Sequence, residues 1–198
     1  MATKPDSDTA KSSSTSFYTL TPGWATKYCF AKVDTSSMGD ASVEWSYRRL
    51  ADFKGTAFLE VESGTTCGDF LRNDALLMVV TSRLITILKS HGIRAFSTYR
   101  VRVTRDGVDI PGYFGLAVLG KGGPNDPSLV TYCEDARSKS KSRKIDGLRP
   151  TKWDGSDLFT LDDMYRVVLA TEKVRRVFKQ ERVTNCLFEP AEEFKIGY

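Results

Sequence analysis

The chain of 198 residues lacks most of the parts from which enzymes and metal sites are built. No apolar run approaches the roughly 18–20 residues that a membrane-crossing helix needs, so no membrane partner is expected. Histidine occurs once, at His91. It stands just before Gly92, at the expected end of a helix, where a cation suits the helix dipole. There is no Gly-x-Ser-x-Gly elbow, which removes that class of serine hydrolase. The glycines of "GKGGPND" (120–126) lack both the spacing and the Lys-Ser/Thr ending of a phosphate loop. The four cysteines, Cys29, Cys67, Cys133 and Cys186, are scattered, without the paired spacing of zinc ligands. They read as small apolar core residues in a reducing compartment. The acidic pairs Asp154/Asp157 and Asp162/Asp163 miss the EF-hand spacing, and "TLDD" reads as the start of a helical turn. Glu189, Glu192 and Glu193 in "FEPAEEF" read as a solvated tail. No catalytic residue, metal ligand or cofactor is expected.

What is present suits a folded domain. Apolar residues make up 40% and charged residues 27%, enough for a core under an ordinary surface. Residues 1–16 hold Asp6 and Asp8 and no apolar stretch, so they read as a disordered lead rather than a signal peptide. A cytoplasmic protein is expected, with residues 17–198 as a single α+β domain. The net charge of +4 is mild, and much of it lies in one run, Arg137-Ser-Lys-Ser-Lys-Ser-Arg-Lys144.

Strand material appears at 17–33, with a turn at Pro22-Gly23, and again at "GTAFLEVES". Leu76–Val80 reads as a short buried strand. Thr81 or Ser82 caps a helix carrying Leu84, Ile87 and Leu88 at helical spacing, and Gly92 closes it. Tyr99, Val101 and Val103 alternate with Arg100 and Arg102 as a half-buried strand. Asp106-Gly107 is a hairpin turn, and Tyr113–Leu119 is the returning strand. Residues 120–152 read as loop, with one short strand at Leu129–Cys133.

A shift of ninety positions lays the last segment on the middle one. Leu77–Val80 fall on Val167–Ala170, Thr81 on Thr171, and Leu84, Ile87 and Leu88 on Val174, Val177 and Phe178. The shared pattern is apolar strand, Thr cap, amphipathic helix, apolar strand. It predicts two related strand–helix–strand units, near 70–119 and 153–190, around one core with a mixed or antiparallel sheet. Two amphipathic helices aligned by pattern alone are the alternative.

The stretch "WDGSDLF" at 153–159, then "RVVLATEKVRRVFKQERVTNCLFEPAEEF", resembles the immunity protein eleven family of bacterial polymorphic toxin systems. In that family a Gly-x-Asp-Leu/Phe-Phe segment, an apolar strand, a Ser/Thr-capped helix and an "N-V-x-F-x-P" ending follow one another. Here the ending is Thr184-Asn185-Cys186-Leu187-Phe188-Glu189-Pro190. "LLMVVTSRLITILKSHGI…YRVRV…IPGYF" is similar to the family's earlier half, so the resemblance covers roughly residues 70–198. It implies a non-enzymatic protein that binds a cognate toxin and occludes its active site. Many immunity proteins are acidic. This mildly basic chain implies an acidic toxin face, or contacts not dominated by charge.

The loop candidates for partner contact are Trp153, Asp154, Asp157, Lys141, Arg143, Lys144, Arg105 and Asp106. Trp153-Asp154-Gly155 also reads as a structural turn, with Trp153 packing, Gly155 bending the backbone and Asp157 capping or pairing locally. A nucleic-acid-binding or regulatory module using the 137–144 run is the competing function. It lacks interleaved aromatics and a recognition motif, so nucleic acid is the weaker partner. A small enzyme without a legible site is the third.

Overall fold

The computed structural model describes residues 16–42, 49–134 and 141–196. The expected lead therefore lies outside the described residues, apart from Ser16. The strands are β1 (Phe17–Pro22), β2 (Phe30–Asp34), β3 (Thr56–Ser63), β4 (Phe70–Asn73) and β5 (Val79–Thr81), before helix α1 (Ser82–Ser90). Next come β6 (Phe96–Arg105), β7 (Val108–Asp109), β8 (Tyr113–Val118), β9 (Gly120–Lys121), β10 (Val130–Glu134), β11 (Lys141–Asp146), β12 (Leu158–Thr160) and β13 (Val168–Thr171). Helix α2 (Glu172–Gln180), β14 (Cys186–Pro190) and β15 (Lys195–Ile196) complete the chain. This is a mixed α/β architecture compatible with the expected α+β class.

The first sheet runs β3–β2–β4–β5–β8–β6–β7, and β3 also pairs in parallel with β6. That extra pairing closes six strands into a barrel, so those strands have no free edge. Period-2 alternation drives it: Ala57, Leu59 and Val61 point inward, and Phe58, Glu60 and Glu62 outward. A second sheet runs β14–β1–β13–β12–β9, and a third β10–β11–β15.

The two helices share a local plan, although only Thr81 caps with its side chain, accepting from the Leu84 N–H; Thr171 makes no side-chain cap bond. Each follows a buried strand and begins after an extended Thr, Thr81 or Thr171. Each turns Leu84, Ile87 and Leu88, or Val174, Val177 and Phe178, into the core. The helix-bearing units are completed by strands in matching registers. In the first, Val80 faces Phe114 of β8; in the second, Ala170 faces Tyr18 of β1. β6 then pairs with β8 through Thr98↔Leu116, as β14 pairs with β1 through Phe188↔Leu20. The strand that completes the C-terminal unit therefore comes from the beginning of the chain.

Burying a Leu or Phe side chain contributes about 1.5–3 kcal/mol. The main apolar cluster draws on both units, joining Phe70, Leu84 and Leu116 to Leu158, Val174 and Phe178. A second cluster, Ile145, Leu148, Phe159, Leu161, Leu169 and Ala191, lies on the β11–β12 side.

Several local expectations change. The buried run before α1 enters its strand only at Val79, because Asn73 bridges the preceding turn. Its amide donates to the Leu71 and Leu77 carbonyls and its Oδ1 accepts from the Leu77 N–H. In residues 120–152 the short strand expected at Leu129–Cys133 is present as β10, but the rest is not plain loop: it also holds β9 and β11. In β11 the inward Ile145 alternates with the exposed Lys144 and Asp146, enough to register against β10. "TLDD" begins no helix. The C-terminal segment is anchored rather than free: Ala191 is buried, and Lys195 and Ile196 pair with β11. The 106–107 hairpin forms, with both central residues at positive φ. Val108–Asp109 returns first, and Tyr113–Val118 continues along β6.

Candidate functional site

The loop 153–157 is largely exposed but held by internal hydrogen bonds and ring contacts. The Trp153 indole N–H donates to the Ser156 carbonyl at 2.9 Å. Its ring meets Phe17 edge-on, with centroids 5.2 Å apart, and lies against Phe159. Gly155 takes φ +85°, the left-handed bend that an L side chain resists. Asp154 Oδ2 accepts from the Lys121 N–H at 2.8 Å and Oδ1 from the Ser156 N–H at 2.9 Å. Burial opposes ionisation of Asp154, but the Ser156 and Lys121 hydrogen bonds outweigh it and hold the carboxyl below its ordinary value.

Asp157 belongs to a repeated device. Its carbonyl accepts from the Thr171 N–H at 3.0 Å, its Oδ1 from the Thr171 hydroxyl at 2.9 Å, and its Oδ2 from Lys173 Nζ at 2.7 Å. Asp69 does the same at the start of α1. Its carbonyl accepts from the Thr81 N–H at 3.0 Å, its Oδ1 from the Thr81 hydroxyl at 2.9 Å, and its Oδ2 from Arg83 at 2.7 Å. Each carboxylate orients a cap Thr and neutralises a first-turn cation. Asp69 carries more, because its Oδ2 also accepts from the N–H and hydroxyl of Thr184. Burial raises its pKa, yet the bonds from the Thr184 amide, Arg83, Thr81 and the Thr184 hydroxyl win and hold the carboxyl low. Sequence reading missed Asp69. The one shared sequence cue was a cation two residues beyond each cap Thr; the Asp lies 12 positions before Thr81 and 14 before Thr171, a spacing that only the fold equates.

The remaining candidates lie apart from this loop. Arg143 pairs with Asp163, which also accepts from the Asn125 N–H at 2.8 Å. Lys144 is exposed and pairs with Asp146 at 3.1 Å. Lys141 belongs to β11, with its side chain outside the described residues, as are residues 137–140. Arg105 turns inward, giving one Nη2 to Cys29 Sγ at 3.1 Å and to the Gly64 carbonyl at 2.8 Å. The Asp106 N–H donates to Glu60 at 2.8 Å. His91 lies 2.9 Å from Glu181, a contact that joins the ends of the two helices.

An exposed surface that sequence reading passed over lies at the β1–β2 connection. Trp24 is 64% exposed. The Arg72 guanidinium stacks between it and Phe30, at 5.2 and 4.8 Å from the ring centroids. Lys27 lies over Tyr28 at 5.1 Å. Among the described residues, neither Arg72 nor Lys27 has an ion-pair partner. A Trp after Pro22-Gly23 was the available cue. The pairing of Phe30 with Arg72 across β2 and β4 was not visible, since it depends on register.

Among the described residues, no three His, Cys, Asp or Glu side chains gather as a metal would require. No helix there is long and apolar enough to cross a membrane. Compared with known proteins, the chain matches no family model and no curated protein.

Proposed function

We propose that this protein is a cytoplasmic immunity protein that binds a toxin encoded beside it and occludes the toxin's active site without chemistry of its own. The resemblance at "WDGSDLF" and "VTNCLFEP" motivates the reading. The observation that supports it best is the Trp24–Arg72–Phe30 stack. Trp and Arg are the side chains most often found as interface anchors. Arg72 holds the exposed indole in place before any partner arrives, which lowers the ordering cost of binding. Its charge and that of Lys27 fit an acidic face on the toxin. The ionic side chains of the 153–157 loop serve internal ties instead, which favours a rigid scaffold there over a contact loop. We read the two strand–helix–strand units as an internal duplication that supplies this scaffold.

The test is co-expression with the adjacent toxin gene, counting survivors and isolating the complex by gel filtration. Wild-type protein rescues growth and co-elutes with the toxin. Trp24→Ala and Arg72→Glu stay folded by thermal melt and lose both. No complex with the wild type counts against immunity by binding. A complex that is unchanged in both variants removes the anchor and leaves immunity standing.

A further inference from the structure

We propose that Cys29 and Cys67 form a dithiol site that a small hydroperoxide closes into an intrachain disulfide. The backbone puts the two residues side by side. Tyr28 and Thr66 form a parallel bridge, with the Cys29 N–H on the Thr66 carbonyl and the Thr66 N–H on the Lys27 carbonyl, both at 3.0 Å. Side chains alternate along each extended segment, so Cys29 and Cys67, one step beyond the bridge, project to the same side. Arg105 reaches the pair from β6, with Nη2 3.1 Å from Cys29 Sγ, and its hold on the Gly64 carbonyl fixes it there. That places a positive charge where an attacking sulfur gathers negative charge. The Tyr113 hydroxyl pins the Gly68 carbonyl at 2.7 Å, so the Cys67 loop is held as well.

Exposure divides the roles. Cys29 is buried and Cys67 is partly exposed, so the oxidant meets Cys67 first. The Cys67 thiolate attacks one peroxide oxygen, the O–O bond breaks, and sulfenic acid forms with release of water or alcohol. Cys29 sulfur then attacks Cys67 sulfur, its thiol proton leaves with the hydroxyl as water, and the S–S bond forms. Two thiols lose two electrons and two protons, and the peroxide is reduced. Burial, and after it the neighbouring Cys29, push the Cys67 thiol up to about 11. Closure is therefore slow at neutral pH and quickens as pH rises. The bond would staple the start of β2 to the β3–β4 loop, directly after the segment that carries Trp24. The inference does not depend on the function proposed above.

The experiment treats the purified full chain with hydrogen peroxide, alkylates the remaining thiols and digests with trypsin without reduction. Peptide Tyr28–Lys32 is expected joined to Gly55–Arg72, two hydrogens lighter than the separate peptides and released by reductant. Its rate of appearance rises about tenfold per pH unit between about pH 7 and 9, following the thiolate fraction. In Cys29→Ser, with no resolving thiol, the Cys67 sulfenic acid is trapped by a cyclic dione and, without the trap, goes on to sulfinic acid. A Cys133→Ser/Cys186→Ser variant still forms the link, which separates it from thiol shuffling. The proposal is overturned if both cysteines in the oxidised native chain remain open to alkylation. It is overturned equally if Cys67 proceeds to sulfinic acid as fast in the wild type as in Cys29→Ser.

Discussion

Replacing Asp69 with Ala should cost far more stability than the equivalent change at Asp157, although the two carboxylates perform the same local task. The Asp69 side chain is 7% exposed and that of Asp157 20%. Asp69→Ala removes the acceptor of the Thr81 hydroxyl, the Thr184 hydroxyl, the Thr184 N–H and Arg83. Arg83 and Thr184 are exposed and can partly rehydrate, but Thr81 is half-buried, and all four bonds end on the buried Asp69 carboxylate. Each of these bonds to a charged acceptor contributes about 1 kcal/mol or more, so losing all four costs about 3–5 kcal/mol. Asp157→Ala strands only Thr171, while Lys173 turns to water, for about 1–2 kcal/mol. Urea unfolding reads the difference. With a slope of about 2 kcal/mol/M, the Asp69 variant loses about 2 M in midpoint and the Asp157 variant less than about 1 M. The pH dependence has a fixed sign. The folded-state pKa of Asp69 is depressed, so its contribution is complete above the unfolded value of about 3.9 and is lost as pH falls through the folded value. The gap between wild type and Asp69→Ala should therefore narrow only below about pH 4. Equal midpoint losses at Asp69 and Asp157 would refute the argument that the Thr184 bonds make Asp69 the tie between the two units.

Two further outcomes test the packing and the basic strand. A methyl at Gly115 would lie 2.0–2.4 Å from the Tyr99 ring, so Gly115→Ala should cost about 1–3 kcal/mol in urea unfolding. Adding Tyr99→Ala should recover less than the full loss, because it opens a cavity. Arg143→Ala should lower the melting temperature by several degrees through the loss of its Asp163 contacts. Lys144→Ala, which breaks an exposed pair, should move it by no more than about 2 °C.

The two helices were legible because each is a closed local statement: a Thr at the cap position, then apolar residues at helical spacing. The Asp106-Gly107 hairpin was legible for the same reason. β11 was not, because "KSRKID" looks like a solvated charge run until β10 pairs with it and Ile145 finds the second apolar cluster. The loop candidates show a parallel limit. Sequence marks Trp153, Asp154 and Asp157 as rich in chemical potential, but whether an Asp faces solvent or a Thr hydroxyl depends on what folds against it. Arg105 was chosen as a hairpin tip, yet it reaches inward to Cys29, which lies 76 positions away. Arg72, never singled out, meets Trp24 only because β4 aligns with β2.

By itself, the sequence determined the two helices, the Asp106-Gly107 hairpin, the ninety-position echo and the scarcity of groups for catalysis, since each of these is set by neighbours in the chain. Only the tertiary structure decided that β3 closes a barrel between β2 and β6, and that β1 crosses the length of the chain to lie between β13 and β14. Strand pairing is backbone hydrogen bonding, which any extended residue can offer. The choice among partners rests on which arrangement buries the apolar faces of all the strands at once, a property of the whole chain rather than of any segment.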